Sequence, residues 1–153
     1  MEDNPHVNIY IETSVHGPAQ HGGRYIYLLE CLGADGTPRT RYATGEWQNE
    51  KENSLALQAM AAALERLKGS CVVDVYTTCR LIKNAIENGW LEDWKTNGWK
   101  NGKGIQIKNR DLWERIAAKA EEHLVFVYVQ PHSYREWMQM QMKGEENGKK
   151  NCG

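Results

Sequence analysis

The sequence predicts a mixed α/β domain in which one five-stranded sheet, three antiparallel strands followed by two parallel ones, is flanked by helices. Three observations carry that expectation. Val7 to Ser14 alternates apolar and polar residues with a period of two. A helical period replaces it between Asn53 and Lys68. The short β-branched segment Cys71 to Tyr76 follows that helix through a tight connection, the pattern of a strand laid parallel to the first.

In the first strand Val7, Ile9 and Ile11 alternate with Asn8, Tyr10 and Glu12, so Glu12 falls near the strand's C-terminal end. The Gly and Pro content of His16 to Gly23 predicts a turn, and His16 and His21 read as solvated loop histidines rather than a metal pair. Arg24 to Gly33 reads as a second strand, Asp35-Gly36 as a hairpin turn and Thr37 to Trp47 as a third strand. From Asn53 to Lys68, Leu55, Leu57, Met60, Ala61, Leu64 and Leu67 recur at helical spacing until Gly69 stops the run. Thr77 to Asn88 and Trp90 to Trp94 are expected as helices, followed by a basic loop, an amphipathic helix over Asp111 to Glu122 and a fifth strand over Leu124 to Val129. Ser133 to Met142 is the last expected helix. Residues 144–153 have the composition of a disordered tail, which leaves a single domain over residues 1–143.

With 153 residues the chain is long enough to bury a core without disulfides or metal. Nineteen Lys and Arg against twenty Asp and Glu give a formal net charge of -1, so any anion-binding surface must be a local patch. The four cysteines, Cys31, Cys71, Cys79 and Cys152, form no CxxC pair and no finger spacing with the five histidines, and read as reduced thiols. No apolar run approaches the roughly 20 residues that span a bilayer, and the polar, acidic start is unlike a signal peptide. The expected compartment is the cytoplasm, with no membrane partner.

Local charge is concentrated between Trp94 and Trp113. There Trp94 and Trp99 are interleaved with Lys95, Lys100, Lys103 and Lys108. Cations beside aromatic planes suit a polyanion with stackable bases. The same pattern also describes a helix-loop-helix whose tryptophans pack locally while its lysines keep it soluble.

The order of elements, the run Leu57 to Leu67 and the stretch from Trp94 through Gly98-Trp99-Lys100 and Lys108-Asn109 to Asp111-Leu112-Trp113 together resemble type 1 ribonuclease H. The likeness extends from about Val7 to His132. It implies a ribonuclease H-like fold, a basic protrusion over residues 94–113, and cleavage of the RNA strand of an RNA/DNA hybrid by two magnesium ions held on four carboxylates. Two hard dications close together need oxygen ligands and compensating negative charge.

Carried over residue by residue, the resemblance predicts a depleted site. The first-strand Asp corresponds to Glu12, one methylene longer and a weak metal ligand by itself. The central-helix Glu corresponds to Ala56, and the Asp ending the fourth strand to Thr78. An ungapped match from His132 puts Met142 at the last ligand position, with Glu136, Glu145 or Glu146 as candidates if the segment is shifted. Two glycines at which the family's backbone approaches substrate are replaced by Thr13 and Pro131. Asn53 matches a hybrid-contacting Asn, and His132 matches the family's mobile-loop His. Glu52, one turn before Ala56, is the candidate substitute ligand, with a first-turn helix glutamate as the plainer reading. Asp74 shares strand parity with Thr78 but lies four residues and roughly 13 Å away.

Three functions follow from the sequence. The first is a catalytically defective ribonuclease H-like module, with no cofactor, that binds RNA/DNA hybrid or another nucleic acid through Asn53, Lys95, Trp99, Lys100, Lys103 and Lys108. The second is an active or weakly active enzyme using magnesium or manganese on a rearranged set around Glu12 and Glu52. The third is a protein-interaction scaffold without a nucleic-acid role, for which Trp137, Met138, Met140 and Met142 offer an adaptable apolar surface.

Overall fold

A computed structural model describes residues 5–14, 23–33, 35–47 and 52–152; the side chains at 47, 52 and 144–152 lie outside that description, as do His16 and His21. Its strands are β1 (His6–Thr13), β2 (Gly23–Leu32), β3 (Pro38–Trp47), β4 (Val72–Tyr76) and β5 (Leu124–Tyr128). Its helices are α1 (Glu52–Glu65), α2 (Arg80–Glu87), α3 (Trp90–Thr96), α4 (Arg110–Ala120) and α5 (Arg135–Cys152). The sheet order is β3-β2-β1-β4-β5. β1 pairs antiparallel with β2, placing Glu12 opposite Ile26, and parallel with β4, placing Tyr10 beside Tyr76. The mixed sheet predicted from periodicity is therefore present, with three antiparallel strands and two parallel additions.

The two faces of β1 have different fates. Val7, Ile9 and Ile11 look toward α1, whose Leu55, Leu57, Met60 and Leu64 are fully buried with Trp113 and Ile116 of α4. Each such leucine removed from water contributes about 1.5–3 kcal/mol before entropy is counted. On the other face Tyr10 joins Ile26 and Leu28 beneath Met138 and Met142 of α5. Trp137 meets the ring of Tyr42 edge-on at 5.0 Å, while Met140 remains exposed. The methionine run is thus split between core and surface by the helical period.

The last helix departs from expectation. It spans Arg135–Cys152 rather than Ser133 to Met142, and the backbone of residues 144–152, expected as a disordered tail, continues it. Composition weighs the scarcity of apolar residues there. It gives no weight to Glu145 and Glu146, each four residues before a lysine, which is the spacing that supports a helix. Among the described residues no helix is long and apolar enough to cross a membrane.

Candidate functional site

β1, the central strand, carries Glu12 near its C-terminal end, against the first turns of α5, and the side chain is only 3% exposed. A buried carboxylate must find donors or stay protonated. Glu12 finds them within its own chain. His132 Nε2 lies 2.9 Å from Oε2, and Gln139 Nε2 donates to Oε1 at 2.8 Å. The Gln139 amide also donates to the Thr13 carbonyl at 3.3 Å, which fixes its orientation. Arg135 Nε stands 3.7 Å from Oε1 as an ion-pair partner.

The hydrogen-bond pattern assigns the tautomer of His132. Its Nδ1 accepts the Tyr134 N–H at 3.2 Å, so the ring proton resides on Nε2 and is donated to Glu12. The ring is held to the carboxylate at one end and to the backbone at the other, an arrangement that fixes its orientation and supplies Glu12 with a hydrogen-bond donor.

The remaining positions implied by the resemblance do not converge as ligands. Ala56 is 2% exposed within the main core. Met142 is 2% exposed in the cluster under α5 and offers no oxygen. Thr78 is exposed and lines a cavity of about 290 Å³ with Glu12, Val129, Gln130, Pro131 and Arg135. Glu136 is exposed in the first turn of α5, and the side chains of Glu52, Glu145 and Glu146 lie outside the description. Asp74 is committed to His6, whose Nε2 is 2.6 Å from its Oδ2. Among the described residues no group of three or more His, Cys, Asp or Glu side chains could hold a metal ion. Among the described residues, the one carboxylate at a position implied by the resemblance is held by two donors and a guanidinium, whereas a pair of dications requires several oxygen ligands and surplus negative charge.

The protrusion resolves into packed and free parts. Trp94 packs against Trp113 with ring centroids 5.2 Å apart, and Trp99 is 9% exposed, adopting a left-handed φ of 64°. Trp99 therefore fills the core and does not present its ring to a ligand. Lys95 is engaged in an exposed ion pair with Glu121. Lys100, Lys103 and Lys108 are exposed, the first two on the small turn that Asn101 closes by accepting the Lys103 and Ile105 N–H groups. Asn53 is exposed at the start of α1, where its Oδ1 accepts the Cys79 thiol at 3.3 Å, beside Thr78.

The fold and this arrangement can be set beside known proteins. The RNase H family model matches residues 4–143. The chain belongs to the RNase H family. It is similar to the ribonuclease H of Lachnoclostridium phytofermentans, 32% identical over 127 residues that cover 82% of this chain and 80% of that protein. The ribonuclease H of Nitratidesulfovibrio vulgaris (Miyazaki F) is 35% identical over 128 residues, covering 83% and 78%. Among solved structures, LC9-RNase H1, described as a type 1 RNase H with the type 2 active-site motif, superposes with a TM-score of 0.76 at 22% identity over 97% of this chain and 75% of that one. The foamy viral protease-reverse transcriptase solved with an RNA/DNA hybrid gives a TM-score of 0.69 at 15% identity, over 91% of this chain and 19% of that one. At these identities the solved structures speak to the fold alone.

Two residues that matter here escaped the reading of the RNase H motifs. Arg135 and Gln139 stand four apart on α5, on a stripe beside Met138 and Met142. That spacing is visible in the sequence. What it faces depends on how α5 is phased against β1, more than 120 residues earlier.

Proposed function

We propose that this RNase H family chain binds RNA/DNA hybrid, or a related duplex, without cleaving it by two-metal chemistry. The observation that carries the reading is the state of Glu12. The one carboxylate retained at a ligand position already has donors on both oxygens, from His132 and Gln139, with Arg135 as ion-pair partner. Ala56 and Thr78 add no charge at the neighbouring positions. The proposed contact surface is Asn53 with Lys100, Lys103 and Lys108, and Lys95 after exchange of its Glu121 partner. A cytoplasmic location suits the reduced thiols Cys31, Cys71 and Cys79.

A second reading is favoured by the relatives themselves, which carry the name ribonuclease H at 32% and 35% identity. It would require magnesium or manganese on a set formed from Glu12 and Glu52.

Gel retardation of RNA/DNA hybrid, duplex DNA and duplex RNA over a series of salt concentrations tests the first reading. The expected result is a retarded hybrid whose affinity falls steeply with salt, as phosphate-driven binding must. Retardation of none of the three duplexes would refute it and point to the protein-interaction scaffold.

A further inference from the structure

Arg135 is the part of the site that the retained carboxylate does not fully use. Its side chain is 51% exposed whereas that of Glu12 is 3% exposed, and Glu12 is its only ion-pair partner among the described residues. The contact is made from Nε at 3.7 Å. A guanidinium carries five N–H donors in a planar fork, so an anchor at Nε leaves the two terminal nitrogens to present a parallel pair of donors. Arg135 lines the cavity of about 290 Å³ whose wall includes the exposed Thr78 and Gln130 side chains.

Charge decides what such a cavity accepts. In a site of several carboxylates a phosphodiester is repelled unless divalent cations are bound. Here Glu12 spends its lone pairs on His132 and Gln139, which point it inward, while Arg135 opens α5, whose N-terminal end favours anions. Resting on the hybrid-binding reading above, we propose that Arg135 is a metal-independent phosphate contact, holding one backbone phosphate of a bound RNA/DNA duplex in the cavity beside Glu12 and Thr78. A guanidinium of the chain's own replaces the divalent cations as the countercharge to nucleic acid. Glu12 positions that guanidinium and takes no part in chemistry.

The test uses the full chain and a short fluorescein-labelled RNA/DNA hybrid, followed by fluorescence anisotropy in EDTA and again in magnesium. The wild-type protein is expected to bind equally well in both. Arg135→Gln should weaken binding about tenfold and lower the slope of log K against log salt by about one, the signature of a single lost phosphate contact. Arg135→Lys should restore the salt slope and part of the affinity, since a point charge keeps the attraction but not the fork. A neutral methylphosphonate walked along each strand should find a position that costs the wild type about tenfold and costs Arg135→Gln nothing. Wild-type binding with an unchanged Arg135→Gln affinity and slope would overturn the phosphate contact and leave hybrid binding standing. No wild-type binding would overturn both, and binding that requires magnesium would overturn the contact's independence of metal.

Discussion

His132 Nε2 and Glu12 Oε2 lie 2.9 Å apart, both side chains almost wholly buried, with the other histidine nitrogen tied to the Tyr134 N–H. A carboxylate in a metal-free cluster of like charges is strained, and removing it tends to stabilise. Here the opposite sign is expected. Glu12→Gln turns one acceptor oxygen into a donor, which must face either His132 or Gln139. The expected cost is about 1–3 kcal/mol, read from urea denaturation. A more stable Glu12→Gln protein would show that Glu12 sits among repelling groups.

Divalent cations should leave stability alone. A ligand raises the melting temperature only in proportion to its preferential binding to the native state. With Glu12 capped, and Ala56 and Thr78 at the neighbouring positions, magnesium at millimolar levels is expected to shift the melting temperature by less than a degree. Differential scanning calorimetry checks this, and an upward shift of several degrees would contradict it.

Acid stability should depend on a second, half-buried network. Burial pushes the Glu30 carboxyl up, but hydrogen bonds from Tyr134, Asn8 and Tyr10 outweigh it and hold the group below the usual glutamate range. Asn8 Nδ2 donates to Oε1 at 2.9 Å and Tyr10 OH at 3.2 Å, while Tyr134 OH donates to Oε2. A carboxyl lowered on folding contributes stability above its unfolded value of about 4.3, and loses it as the pH falls through the folded value. Burial, then Glu30, raises the Tyr10 hydroxyl, and its hydrogen bond to Glu30 raises that of Tyr134, so their contributions fade only as the pH climbs past about 10. Glu30→Gln should therefore flatten the fall in urea midpoint between about pH 6 and about pH 3. An unchanged pH profile would place the acid sensitivity elsewhere.

The protrusion should separate folding from binding. Trp99→Ala removes a core side chain and is expected to cost about 3–5 kcal/mol. Lys100→Gln, Lys103→Gln and Lys108→Gln should each stay within about 0.5 kcal/mol of the parent. Each lysine variant is expected to reduce the salt slope of hybrid binding by about one. Thermal melts beside anisotropy distinguish the two effects. A stable Trp99→Ala protein that binds poorly would restore Trp99 as a stacking residue.

Periodicity made most of the fold legible. Alternation in Val7 to Ser14 and helical spacing in Asn53 to Lys68 report burial directly, because one face of each element must meet the core. Ala56 and Thr78 come to ligand positions only through the family resemblance. The caps on Glu12 were not legible, since Arg135 and Gln139 acquire meaning only once α5 is docked against β1 across more than 120 residues. The burial of Trp99 was not legible because a tryptophan among lysines reads alike whether it stacks on a base or packs inward. Its left-handed backbone has no signature in a non-glycine residue. The continuation of α5 past Met142 escaped for a related reason, as composition averages over the charge spacing that a helix uses.

Cleavage is the most direct test of whether a cation pair has a place beside Glu12. An RNA/DNA hybrid labelled on its RNA strand, incubated with excess protein in magnesium or in manganese, is predicted to remain intact while bound. RNA fragments that appear with the parent protein and vanish with Glu12→Gln would contradict the account.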